Sequence, residues 1–547
     1  MNNIDIAVIL FFSALVFFCG LSFAKSGKNM NSFFAAGGNL PWWMSGLSLF
    51  MSFFSAGTFV VWGSIAYSSG WVSVSIQWTM CIAGLIIGFV IAPKWQKTNV
   101  LTAAQFITER LGLKTQKTYS YLFLLISMFT TGAFLYPVAK IIEVSTGIPI
   151  EVSIISLGVL ILIYTAVGGL WAVIVTDVLQ FIVLTAAVLI VLPLSIDRVG
   201  GLQTFVNQAP DNFFNFVNDE FSPLFLIAFG LYNLFFIAGN WAYVQRYTSV
   251  STPKDAKKVG WLFGGLYAIS PIVWMLPPMI YRIINPELSD LANEGAYLLI
   301  CKEVLPVGML GLMLGGMVFA TSSSVNTTLN ISAGVLSNDI YKNLKPNTSP
   351  EQLVKIGKLA TVILGIITIV IALFVPLMGG IVEVVMGLAA VTGGAMFLPP
   401  LWALFSKKLI GSQALLVTVI ALIINSFFKF IAPSLMNLKL DRATEMVFGV
   451  GVPIMLLVAI EIYMKVTNAA SKDYTSYIEN KNEEHQEDED AGSSNTKGAR
   501  VIGIGIFLTG LMMLILSFIA NKGNGIVATV SSLVLVLGTI VIYRNKK

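Results

Sequence analysis

The chain has 547 residues, of which 56% are hydrophobic and 11% charged, with a mean hydropathy of +0.82 and a formal net charge of +5. A soluble domain carries about 25% charged residues, so these values exclude a soluble globular enzyme and describe an integral membrane protein. Cys19, Cys81 and Cys301 are scattered, so neither a disulfide framework nor a structural zinc site is indicated, and the sole histidine, His485, lies in a hydrophilic stretch, which removes a histidine proton relay in the bilayer.

A spanning helix needs ~20 apolar residues, and about fifteen such stretches recur along the chain. They cover 5–24, 41–69, 73–93, 119–147, 150–167, 172–195, 222–246, 259–284, 305–338, 355–378, 381–405, 409–432, 445–466, 501–520 and 525–543. The first has no basic region before it and outruns the apolar core of a signal peptide, so it reads as a retained helix. Basic residues gather in alternate connections: Lys25 and Lys28, then Lys94, Lys97, Arg110, Lys114 and Lys117, then Lys254, Lys257 and Lys258, then Lys342 and Lys345, then Lys407 and Lys408. Basic residues beside helix ends stay on the cytoplasmic side, so the N-terminus is expected outside and the C-terminal RNKK inside. Between 467 and 500 the acidic, weakly hydrophobic run containing NEEHQEDED reads as a solvated tether, with a regulatory contact as the other reading.

Two stretches carry matched interruptions. Residues 52–59 read SFFSAGTF and residues 234–241 read LFFIAGNW, each with two aromatics before a small pair and each in the first span of a five-span group, 41–195 and 222–405. Such interruptions are expected where a transporter built of inverted repeats unwinds its helices to expose backbone to ion and solute; close packing through small residues is the alternative.

Residues 319–330 read FATSSSVNTTLN, a polar run without a charge. Ala320, Ser323, Ser324 and Thr327 stand at i, i+3, i+4 and i+7 and share one helical face. A hydroxyl can donate to the carbonyl one turn back and still offer lone pairs outward, which suits a hard monovalent cation rather than a soft metal. Hydroxyls that only join helices form the alternative. Asp177, within GGLWAVIVTDVLQFIVL, is an intramembrane acid and needs a partner, with Arg246 and Lys258 available from other helices. Lys140 and Glu143, one turn apart, read as a local ion pair. Gln77 and Asn233 are uncharged polar groups of the kind that bind solutes or join helices. No arginine or lysine falls in the expected pocket, which favours a neutral polyhydroxylated solute.

Together, GGLWAVIVTDVLQ at 168–180, NWAYVQRYTS at 240–249 and FATSSSVNTTLNISAGVLSNDIYK at 319–342 make the chain resemble the sodium/solute symporter family, over roughly residues 5–465. The resemblance implies an all-α polytopic membrane protein of the leucine-transporter fold: two inverted five-helix repeats, one N-terminal extra helix and about four C-terminal ones. The implied division is 1–40 (extra helix and loop), 41–195 and 222–405 (the repeats), 406–466 (two extra helices), 467–500 (acidic linker) and 501–547 (two C-terminal helices). By motif position, a sodium ion between core helices 1 and 8 would be held by Met51, Phe54, Ala320, Ser323 and Ser324. A second ion, found in some members, would use Asp177, Ser323, Asn326 and Thr327, with Asn326 standing where a serine is common. Phe53, Thr58, Gln77 and Asn233 would contact the solute, and Phe236 would form the inner gate.

The implied activity is sodium-coupled import of a small polar solute, a sugar or sugar acid being favoured over an amino acid or monocarboxylate. The implied partners are sodium, the solute and the lipid bilayer of the cell membrane, with no nucleic acid. A proton-coupled carrier using Asp177 is the closest rival. A membrane enzyme would need a nucleophile, base or metal cluster that the spans do not supply.

Overall fold

The computed structural model describes residues 1–21, 40–100, 102–164, 170–289, 291–345, 347–467, 472–484, 495–520 and 522–544. In a bilayer every backbone N–H and C=O must be satisfied within the protein, which leaves helices for an apolar chain of this pattern. Among the described residues, ten helices are long and apolar enough to cross a membrane, and the bent pair Pro223–Gly239 and Trp241–Thr248 makes an eleventh span. Three shorter apolar helices, Asn3–Cys19, Ile150–Val159 and Met309–Ser322, stand at three more of the expected positions. The remaining stretch, 41–69, is the other interrupted one.

Both interruptions fall at the matched motifs. The first span runs as Trp42–Met51, leaves the helical ladder at residues 52–55, widens at Thr58–Trp62 and continues as Gly63–Ser69. The second bends by 62° at Asn240, directly after Ala238-Gly239. Asn240 closes one helix and opens the next, its side chain accepting a hydrogen bond from Ala242 N at 3.0 Å, as an N-cap does. A Cβ on Gly239 would lie 2.8 Å from the Phe397 carbonyl oxygen, so a glycine lets Ile381–Ala403 approach the break.

The halves Trp42–Met51 and Trp241–Thr248 are stitched to each other. Leu40 N donates to Ser249 O at 2.9 Å, Leu40 pairs with Val250 in a parallel bridge, and Ser45 Oγ donates to the Arg246 carbonyl at 2.7 Å. Trp95 Nε1 donates to Ala238 O at 2.8 Å, and Gln96 Nε2 to Ser251 O at 3.3 Å. Lys94 and Lys97, in the last turn of Ala92–Lys97, therefore share a face with these halves.

On the opposite face, the short helix Ala296–Val304 and the turn before it are wedged among three spans. Ser64 Oγ donates to Asn293 Oδ1 at 2.5 Å, Tyr136 to Glu294 Oε2 at 2.8 Å, and Ile381 N to Glu294 Oε1 at 2.9 Å. Burial raises the pKa of Glu294, and these last two bonds oppose the rise. Lys140 and Glu143 form the expected ion pair at 2.8 Å.

Part of the stretch expected to be a plain tether is ordered. Lys472–Glu484 is a helix whose Tyr477 is buried against Phe106 of Ala103–Leu111. Tyr474, over which the Arg110 guanidinium lies, and Tyr477 stand three residues apart and give an otherwise polar helix the face that docks. Asp473 accepts from Gly411 N at 2.9 Å, and the buried Arg110 donates to Ser406 O at 2.7 Å, joining the same contact.

The last two helices, Asn495–Ile519 and Asn524–Arg544, form a hairpin in which small residues set the spacing. A Cβ at Gly510 would lie 2.8 Å from Leu535 N, and one at Gly538 would lie 2.6 Å from Phe507 N. Gly505 of this hairpin faces Leu179 of Leu170–Arg198 and Cys19 of the N-terminal helix Asn3–Leu21.

Candidate functional site

The first interruption takes several carbonyls out of the ladder, those of Met51 and Phe54 among them. In a continuous helix Ser55 N would bond to Met51 O and Thr58 N to Phe54 O. Instead Ser55 N donates to Thr58 Oγ1 at 3.1 Å, and Thr58 N donates to Ser55 O at 3.0 Å. Thr58 Oγ1 in turn donates to Phe53 O at 2.6 Å, so this side chain closes the break on itself. Met51 and Phe54 are both buried, and the Phe54 ring stacks on Trp274 at 3.9 Å, which anchors the break from behind.

The helix Met309–Gly334 meets this break directly. Ala56 N donates to Thr321 Oγ1 at 2.9 Å, and Thr321 Oγ1 donates to Met317 O at 3.0 Å. Leaving such a buried N–H unpaired costs about 1–3 kcal/mol, so one hydroxyl holds the two elements in register. Ala320 is buried one residue away, and Ser324 Oγ donates to the Ala320 carbonyl at 3.3 Å while lining the central cavity. Ser323, Asn326 and Thr327 belong to the same helix, with side chains outside the described set.

Asp177 has the partner its burial demands, together with a second one. Ser48 Oγ donates to Asp177 Oδ2 at 2.6 Å, Arg246 Nη2 stands 3.9 Å from that oxygen, and Arg246 Nε donates to Ser48 Oγ at 3.3 Å. Lys258 is engaged elsewhere, with Asp255 at 2.9 Å. Arg246 lines the cavity with Asp177, so the expectation of a pocket without arginine or lysine is overturned: the 62° bend turns Trp241–Thr248 toward the cavity wall.

The cavity is about 220 Å³ and lies among both broken helices, Leu113–Thr146, Met309–Gly334 and Ile381–Ala403. Phe53, Thr58, Asn233 and Phe236 line it. Asn233 Nδ2 donates to Thr79 Oγ1 at 2.8 Å, while Asn233 Oδ1 has no hydrogen-bond partner. Gln77 is not in the cavity wall; it is buried, with Nε2 turned back to Ser73 O at 3.3 Å. Aromatic rings close one side. Phe53 lies 4.7 Å from Tyr243 and 6.1 Å from Phe236, and Phe236 lies 5.2 Å from Phe397. Such pairs contribute about 0.5–1.5 kcal/mol each beyond area burial, so the layer is cohesive yet separable.

Sequence reasoning left out Thr321, Ser48 and Tyr243. Thr321 falls between the members of the i, i+3, i+4 face, and Ser48 meets Asp177 across 129 residues of chain, a contact with no local signal. Tyr243 lies inside NWAYVQRYTS, the motif that already supplied Arg246.

Two helices broken at matching points around one cavity, the first joined at its break to a hydroxyl-bearing helix, define a secondary carrier of the multi-pass membrane class. The chain belongs to the sodium:solute symporter family, whose model matches residues 33–421. It is similar to a sodium/glucose cotransporter of Vibrio parahaemolyticus, 27% identical over 475 residues that cover 80% of this chain and 87% of that one. It is also similar to a sodium/sialic acid symporter of Proteus mirabilis, 29% identical over 390 residues covering 68% and 78%. The solved outward-open structure of a sodium-coupled sialic acid symporter superposes with a TM-score of 0.69 at 22% identity, covering 84% of this chain and 98% of that one, and it shares the fold. The protein is thus a sodium-coupled carrier of a small solute and not an enzyme.

Proposed function

We propose that this carrier imports a sugar or sugar acid together with sodium, by alternating access around the cavity between the two broken helices. The ion is held by the carbonyls of Met51, Phe54 and Ala320 with the hydroxyls of Ser323 and Ser324. The observation that carries this reading is the rerouting of Ser55 N and Thr58 N, which leaves the Met51 and Phe54 carbonyls out of the ladder beside the helix that bears Ser324. The solute meets Phe53, Thr58 and Asn233, with the open Asn233 Oδ1 accepting from a hydroxyl or amide N–H, and Phe236 separates it from one exit. Relatives named for glucose and sialic acid support the solute class. The basic residues gathered near Lys94 and Lys97 support a cytoplasmic assignment for that face, with the N-terminus outside, the repeats at 41–195 and 222–405, and the protein in the cell membrane.

One ion per cycle is the favoured stoichiometry. A second ion at Asp177, Ser323, Asn326 and Thr327 would share the Asp177 carboxylate with the Arg246 guanidinium, whose like charge opposes it. Binding there requires Arg246 to withdraw. With ~100 mV worth ~2.3 kcal/mol per charge and a tenfold sodium gradient worth ~1.4 kcal/mol, one ion supports roughly 500-fold accumulation. Two ions square that limit.

The test is uptake of a labelled panel of sugars, sugar acids, amino acids and monocarboxylates in proteoliposomes, with sodium and pH gradients imposed separately. Sodium-driven accumulation of a sugar or sugar acid is expected, and Ser324→Ala raises the sodium concentration for half-maximal uptake. Accumulation driven by a pH gradient alone, or confined to amino acids, overturns the reading.

A further inference from the structure

We infer that Asp5, on the N-terminal helix outside the two repeats, is a positioning residue for sodium binding. Its carboxylate fixes the height at which Met309–Gly334 presents Ala320, Thr321 and Ser324 to the first broken helix. The inference rests on the sodium site proposed above.

Asp5 is 4% exposed, and its Oδ1 accepts from Gly308 N at 2.9 Å and from Gly311 N at 3.2 Å. A helix start leaves its first N–H groups without partners in the helix and carries a partial positive charge. A buried carboxylate supplied by a different helix therefore both caps this one and clamps it. Asp5 is itself held in a reciprocal turn, with Asn2 N donating to Asp5 Oδ2 at 3.0 Å and Asp5 N donating to Asn2 Oδ1 at 3.0 Å.

The approach admits no slack. A Cβ on Gly311 would overlap the Asp5 backbone, and one on Gly308, whose φ is +84°, would lie 2.6 Å from Leu516 of the C-terminal hairpin. Further along, Phe12 packs edge-on against Phe319, centroids 6.2 Å apart, one residue before Ala320. The same hairpin touches Leu179, two residues from Asp177, through Gly505. The parts outside the repeats thus brace the helices that carry Ser324 and Asp177. Ser324 lies sixteen residues beyond Gly308, about 24 Å at 1.5 Å per residue. A cation site tolerates misplacement of about 0.5 Å, so axial play at the capped end reaches the ion.

The experiment is binding of radioactive sodium to the full chain in lipid nanodiscs, which needs no solute. Asp5→Ala, Asp5→Asn and Ser324→Ala are compared with the native chain. Asp5→Ala is expected to weaken sodium binding about three- to tenfold, from the usual cost of losing a cap. Asp5→Asn, which keeps an oxygen to accept from Gly308 N and Gly311 N, stays within about twofold of native, a rescue that loss of folded protein alone would not produce. Native sodium affinity in Asp5→Ala alongside weakened binding in Ser324→Ala overturns the positioning role alone. Native affinity in both overturns the sodium site and the inference with it. Should Asp5→Ala not fold, Asp5→Glu, which keeps the charge but carries it one methylene further, is expected to bind sodium more weakly than Asp5→Asn; the reverse order overturns the inference.

Discussion

Arg246→Gln tests whether the Asp177 side chain in the cavity wall depends on its guanidinium partner. Asp177 is 7% exposed, and Arg246 Nη2 lies 3.9 Å from its Oδ2. Coulomb attraction at that separation is worth about 4 kcal/mol at an effective dielectric of ~20, and breaking one side of a buried pair typically costs about 3–5 kcal/mol. The Ser48 hydrogen bond at 2.6 Å survives the substitution and retains part of the stabilisation. A sodium ion is the available replacement for the lost positive charge, and an ion at a hundred times its dissociation constant returns about 2.7 kcal/mol. Thermal unfolding of the purified carrier in potassium against sodium reads both effects. Arg246→Gln is expected to be strongly destabilised in potassium and to recover most of the loss in sodium, a larger gain than the native chain shows. The double variant Arg246→Gln with Asp177→Asn should recover in potassium as well, because no buried charge is left unpaired. A single variant as stable as the native chain in potassium, with no extra gain from sodium, refutes the reasoning.

Thr321→Val keeps the shape of the side chain and removes the acceptor of Ala56 N. It should cost about 1–3 kcal/mol and raise the half-saturating sodium concentration, read by uptake at fixed solute; an unchanged sodium dependence would separate the contact from the ion. Glu294 gives a pH signature. Burial raises its pKa above the ordinary 4.5, so between those two values the folded state holds a proton that the unfolded state has released. Stability therefore falls as pH rises through that window and levels off above it. Glu294→Gln should remove this slope in unfolding experiments, and a slope that persists assigns the effect to another group.

The features legible in the sequence were those written in local pattern. Apolar length placed the spans, and the doubled motif FFSAG and FFIAG placed both breaks, because unwinding a membrane helix calls for small residues at one short stretch. The polar run at 319–330 pointed on the same local grounds to the helix whose Ser324 lines the cavity. What stayed hidden was set by tertiary geometry. Gln77 looked like a pocket residue by its polarity, but its amide turns back onto its own helix. Arg246 entered the cavity wall because of a 62° bend that no spacing rule supplies. The docked helix at Lys472–Glu484 was obscured by the acidic run that follows its two tyrosines.

The bonds from Leu40 to Ser249 and from Ser45 to Arg246 have a consequence for how faithfully this machine couples. A carrier squanders its gradient whenever one side of its doorway swings alone and lets an ion slip past without cargo. Here the two half-helices on the basic face share a crossbar, so a swing of one alone must first tear these bonds, and the pair is favoured to move together.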